Sequence, residues 1–231
     1  IEISYFVSYP HIIMDKDTNK PSGALYEFIQ EHIAPAMGDT FTWDKSPSPV
    51  PRQISALKSQ KTDAVALLAF SPDRAKSFSY TDKPFYLGKS GIAFKSDASI
   101  QTISSVKDLY GLKIGYAKNT FITPFMRDKG IQFDMVGTAN FLEINTRKLK
   151  VGRIEGAYSP DQAGLLYIIK QEELGDSIKV LKLPEKEASF HVVFNKSATE
   201  QTDRYNKAFK KVNGTGLYLK ILGKYLDVSK L

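Results

Sequence analysis

Ala64-Val-Ala-Leu-Leu-Ala69 is an unbroken apolar run of strand length, the pattern of a strand covered on both faces in a parallel sheet. Ile1-Glu2-Ile3-Ser4-Tyr5-Phe6 alternates instead and predicts a first strand over residues 1–7. Leu25, Phe28, Ile29, Ile33, Ala36 and Met37 recur on one face of a helix, with Gly38 placed to end it. A second strand is expected over 40–45. Ser46-Pro-Ser-Pro-Val-Pro51 then reads as a stiff loop into a helix over 52–60, with Ile54 and Leu57 inward. Residues 84–95 read as extended chain. A second α/β unit begins near Asp97, with a helix over 104–111 stopped at Gly111, a strand over 112–116 and a helix from Thr120 to about Asp128. Helices follow over 139–150 and 161–171, strands over 178–183 and 190–195, and closing helices after Arg204.

Composition narrows the picture by exclusion. The 231 residues are 42% hydrophobic and 25% charged, enough for a real core and not the balance of a disordered chain. No apolar run reaches the ~18 residues of a membrane-spanning helix. Cysteine is absent, which removes disulfides, thiolate metal sites and Cys nucleophiles. His11, His32 and His191 show no metal-ligand spacing, so neither metal nor cofactor is expected. The net charge of +7 comes from lysines spread along the chain, a solvated basic surface with no nucleic-acid signature.

The candidate chemistry gathers where the apolar run ends, at Phe70-Ser71-Pro72-Asp73-Arg74. Ser71 before Pro72 reads as an N-cap with Pro at the first helical position. Arg74 then falls in the first turn of a short helix past the carboxyl end of a strand, the edge where open α/β sheets bind ligands. A cation is disfavoured at that end of the helix dipole, and an anion beside it would account for the choice. The bland alternative is a surface Arg paired with Asp73 or Asp82. Ser71 serves equally as the cap or as a hydroxyl donor to the same anion.

Gln60-Lys61-Thr62-Asp63-Ala64, Ser71-Pro72-Asp73-Arg74-Ala75 and Tyr80-Thr81-Asp82-Lys83-Pro84-Phe85-Tyr86 together resemble the strand-to-arginine segment of the bacterial extracellular solute-binding proteins of family 3, "G-K-x-D-a-i … T-x-x-R-a … F-S-x-P-Y". The interval from Asp63 to Arg74 is one residue shorter than is usual there. Gly23-Ala24-Leu25-Tyr26-Glu27, Val106-Lys107-Asp108-Leu109-Tyr110-Gly111, Gly152-Arg153-Ile154-Glu155-Gly156-Ala157 and the segment from Arg204 to Leu226 resemble the family's later landmarks in order. The resemblance implies an α/β, two-lobed periplasmic-binding-protein-like (type II) fold. Each lobe would be a mixed sheet flanked by helices, joined by two crossing hinge strands. Residues 1–92 and 194–231 would form the discontinuous first lobe and 93–193 the inserted second.

It also implies a periplasmic receptor, its signal peptide removed before residue 1. It would close as a monomer on a small polar solute carrying a carboxylate and deliver it to the membrane permease of an ABC importer. Arg74 would hold the carboxylate, with Ser71 beside it. Thr120 and the amides near Asn119 would add a second grip at a helix N-terminus, with a plain cap as the alternative. Pro160 stands where the family's ammonium-binding Asp usually falls. Asp161, one residue later, is either that ligand or a helix-start charge. Tyr9, His11, Phe70 and Tyr158 are candidates for the cleft wall, each with core packing or a loop edge as the alternative. No catalytic residue is expected. Two other functions stay open: an enzyme like the family's cyclohexadienyl dehydratases, for which Glu27, Glu143 and Asp161 are the loosely placed acids, and the sensing domain of a membrane receptor.

Overall fold

The computed structural model describes residues 1–15, 18, 20–118, 120–138 and 140–231. The chain divides into two compact units, Ile1–Leu87 with Ser189–Lys230, and Gly88–Ala188 with Leu231.

The first unit opens with β1 (Glu2–Ser4), the small pair β2 (Ile13–Met14) and β3 (Pro21–Ser22), and one continuous helical stretch. That stretch runs as α1 (Ala24–Glu27), a π turn (Phe28–Ile33) and α2 (Ala34–Met37). Gly38 ends it in the left-handed conformation, φ 64°, which a residue without Cβ adopts at little cost. β4 (Thr42–Trp43), α3 (Val50–Lys58), β5 (Ala64–Ala69), α4 (Pro72–Ala75), β6 (Phe78–Tyr80) and β7 (Tyr86–Gly88) follow. α3 begins two residues earlier than its pattern suggested, because Pro51 suits the first helical turn.

The second unit contributes β8 (Gly91–Lys95), β9 (Lys113–Ala117), β10 (Gln132–Val136), α5 (Phe141–Lys150), β11 (Gly156–Ser159), α6 (Gln162–Gln171) and β12 (Ile178–Lys182). β13 (Ala188–Asn195) leads back into the first unit, completed by α7 (Thr199–Lys211) and α8 (Gly214–Leu222).

In the first unit the sheet order is β4-β1-β5-β13-β6, with β7 also pairing β13. β1 is parallel to β4 and β5, whereas β13 runs antiparallel to β5 and β6. β5 is therefore central, and all six of its residues are buried, as its unbroken apolar text requires. Burial of Val65, Leu67 and Leu68 contributes roughly 1.5–3 kcal/mol each. In the second unit the order is β10-β9-β11-β8-β12. β9, β10 and β11 are parallel, and β8 runs antiparallel to β11 and β12. Its core joins Ile92, Phe94, Leu109, Ile114, Tyr116 and Met126.

Two expectations are corrected here. The helix expected over 104–111 is a single 3-10 turn, Val106–Leu109, closed by a Ser105–Asp108 capping box. The helix expected from Thr120 to Asp128 is absent. Residues 120–124 are irregular, and the only helical turn is the 3-10 segment Phe125–Arg127. Pro124 disfavours helical backbone at Thr123. The Thr120 hydroxyl donates to the Ala117 carbonyl at 3.0 Å, and the Tyr116 hydroxyl donates to the Phe121 carbonyl, fixing a turn instead.

Candidate functional site

β5 delivers the chain at its carboxyl end to Phe70 and Ser71. Ser71 sits in extended backbone, and its hydroxyl accepts the Arg74 N–H at 3.4 Å. Pro72 opens the four-residue α4, so the N-cap reading is realised. Arg74 emerges half-buried on this turn. Neither expected competitor takes it: Asp73 pairs with Lys76 at 2.8 Å, and among the described residues Arg74 has no carboxylate within ion-pair reach. Its charge lowers the pKa of the Tyr80 phenol, against the larger upward push of burial. A guanidinium fork matches a carboxylate in two parallel hydrogen bonds.

An aromatic group surrounds that turn. Phe70 is 44% exposed and meets Tyr80 edge-on at 5.2 Å. Tyr80 in turn meets His191 edge-on at 5.5 Å. Sequence reasoning missed Tyr80 and His191. β6 and β13 bring them to the carboxyl end of β5 through sheet pairings that no local pattern encodes. His191 is buried, and its Nδ1–H donates to the Thr81 carbonyl at 3.0 Å. Burial lowers its pKa from the ordinary 6.5, more strongly than the Thr81 carbonyl raises it. The unfolded chain therefore binds the proton more readily. The stabilisation from a neutral His191 is complete above about pH 6.5 and is lost as pH falls towards the folded value. Denaturant titrations from pH 7.5 to 5 are expected to show stability falling through this window, with a shallower slope in His191→Gln.

Of the remaining wall candidates in the first unit, Tyr9 is half-buried in the loop before β2. His11 is not a wall residue. It is 1% exposed, stacks on Tyr218 with ring centroids 6.0 Å apart, and shares a short hydrogen bond with the Tyr218 hydroxyl.

Within the second unit, Thr120 is half-buried, but the helix N-terminus expected there does not form, and its hydroxyl is engaged with Ala117. Asn119 lies outside the described residues. Tyr158 is core rather than wall, fully buried with its ring 4.6 Å from that of Tyr116. Its hydroxyl donates to the Thr123 hydroxyl at 3.0 Å, and burial raises its pKa far above the ordinary range.

Asp161 is buried, and its carboxylate accepts the Ala163 N–H at 3.1 Å as the N-cap of α6. The Ser159 hydroxyl bonds the Asp161 carbonyl at 2.6 Å and accepts its N–H at 3.2 Å, locking the turn after β11. Loss of the cap in Asp161→Ala should cost about 1 kcal/mol, a fall of roughly 2–4 °C in thermal midpoint, while Asp161→Asn keeps it. Scanning calorimetry of both variants checks this. An equal fall in both would point to the charge instead.

Glu27, Glu31 and His32 bring three ligand-type atoms within 4.8 Å of one another, a grouping the sequence spacing did not suggest. Glu27 is held there by Lys224.

Residues 1–228 match the family described as bacterial extracellular solute-binding proteins, family 3. The chain belongs to this family. The histidine-binding periplasmic protein of Salmonella typhimurium (strain LT2) is 28% identical over 189 residues, covering 78% of this chain and 70% of that protein. An ancestral arginine-binding protein, solved with arginine bound, superposes with a TM-score of 0.79 at 23% identity, covering 97% and 96% of the two chains. A histidine kinase sensor domain similar to periplasmic binding proteins superposes with a TM-score of 0.82 at 21% identity, covering 98% and 96%. The fold is thus the periplasmic-binding-protein-like α/β fold, and these likenesses speak for architecture on both receptors and sensors. Among the described residues no helix is long and apolar enough to cross a membrane.

Proposed function

We propose that this family 3 protein is a periplasmic receptor that captures a small carboxylate-bearing solute, an amino acid or close relative. It delivers the solute to the permease of an ABC importer and catalyses no reaction. The observation that carries the reading is Arg74, half-buried at the carboxyl end of the central strand with no carboxylate within ion-pair reach among the described residues. A buried or half-buried cation is stable when an anion completes it, and a planar guanidinium selects a carboxylate. Ser71 and the exposed Phe70 flank it on the same turn, so a hydroxyl and an apolar ring accompany the charge. Asp161, Tyr9 and Thr120 are retained as candidate contacts, with Asp161 already serving its own helix.

A thermal-shift screen tests the proposal, because a ligand that binds only the folded chain raises its melting point. L-histidine and L-arginine come first, since they are the solutes of the relatives, followed by other amino acids, small organic acids, amines and peptides. A rise with at least one carboxylate-bearing solute, and none with simple amines, is expected. Stabilisation by amines alone would refute it.

A further inference from the structure

We propose that the polar face of the first helical stretch is a binding site for a divalent transition-metal ion, with Glu27, Glu31 and His32 as its protein ligands. The inference stands apart from the receptor reading and concerns the first unit alone. Glu31 follows Glu27 by four residues and His32 follows it by five. In a regular α-helix, at about 3.6 residues per turn, the fourth residue returns to within about 40° of the first and the fifth lies about 140° away. The stretch is not regular there. Phe28–Ile33 forms a π turn, and the Ala34 N–H reaches back five residues to the Ile29 carbonyl. A turn of i→i+5 bonds brings the fifth residue round towards the first, so Glu31 and His32 both approach Glu27. The three ligand-type atoms all lie within 4.8 Å of one another. Phe28, Ile29 and Ile33 of the same turn are buried, which keeps this face outward.

The donor set decides the class of ion. One imidazole nitrogen with two carboxylate oxygens suits zinc and its first-row neighbours, and two carboxylates balance a double positive charge. Three protein ligands leave a fourth position for water. Bonds of about 2.0–2.2 Å at tetrahedral angles set ligand atoms about 3.4 Å apart. The solvent-exposed Glu31 side chain closes that gap by changing rotamer. The Glu27 side chain is only 15% exposed, and Lys224 Nζ donates to its Oε1. Lys224 is thus its counter-charge, and Oε2 is the oxygen left to a metal. The three histidines by themselves have no metal-ligand spacing; the π turn adds two carboxylates to one of them.

The test titrates zinc chloride into the full chain, carrying no histidine tag and dialysed against EDTA, with calorimetry and NMR of the imidazole nitrogens as readouts. The chain has three histidines, and His11 and His191 are buried, so these two serve as internal controls. The proposal predicts one zinc ion per chain and a shift of the His32 ring signals alone. Affinity should fall at least ~10-fold in His32→Gln and in Glu31→Gln, since even an outer-shell partner is worth about 10–100-fold. Melting curves without zinc should stay where those of wild type lie, because both side chains reach solvent. Absence of binding at micromolar zinc overturns the proposal. So does a shift at His11 or His191 in place of His32, or affinity that both variants retain, since either puts the ion elsewhere.

Discussion

Arg74→Ala is expected to abolish measurable binding of the cognate solute at the concentrations that saturate wild type, with the fold intact. Two charge-assisted hydrogen bonds to a carboxylate are lost together. At about 1.5 kcal/mol or more for each, affinity falls by at least ~100-fold. Arg74→Lys should recover little, because an ammonium is a point charge and cannot match both oxygens. The thermal midpoint of the free protein should move little, since Arg74 makes no ion pair in the described structure and its amide, not its side chain, takes the Ser71 cap. Isothermal calorimetry beside a melting curve separates the two effects. A variant that binds normally would remove Arg74 from the site.

Tyr218→Ala should have the largest effect on stability. Tyr218, on α8, is fully buried, with rings of Phe28 at 5.5 Å, Phe85 at 4.8 Å, Tyr86 at 6.0 Å and His11 at 6.0 Å around it. These partners come from α1's continuation, the approach to β7, β7 itself and the N-terminal loop, so one side chain ties the closing helices to the opening segment. Truncation creates a cavity and takes the hydroxyl from buried His11. The expected cost is about 4–5 kcal/mol, some 10–15 °C in thermal midpoint. Tyr218→Phe keeps the packing and should cost only about 1–2 kcal/mol. Denaturant unfolding of both variants checks this. Near-equal losses would assign the effect to the hydroxyl rather than the ring.

The features legible in the sequence were those that local chemistry determines. The all-apolar text of residues 64–69 became a central strand, Ser71-Pro72 became a capped turn, and Gly38 became a left-handed stop. Asp161 at the start of α6 likewise followed from its place before an apolar helix. What was illegible depends on distant partners. β10 escaped notice because it is a half-buried edge strand with polar Gln132 and Asp134 in its text, paired among the described residues with β9, nineteen residues before it in register. The helix after Thr120 failed because Pro124 and two hydroxyl-to-carbonyl bonds favoured a turn. His11 and Tyr158 read as wall residues from chain position alone, yet Tyr218 and Tyr116 draw them into the cores. Tyr80 was visible as a motif position, but its ring contacts with Phe70 and His191 needed β6 and β13 to pair.

The carboxylate grip is most directly tested by calorimetry of wild type with paired solutes that differ only in that group: L-arginine against agmatine, and L-histidine against histamine. The account predicts that any binding seen with an amino acid is lost, by about 100-fold or more, in its decarboxylated partner. Equal affinity for agmatine or histamine would contradict it.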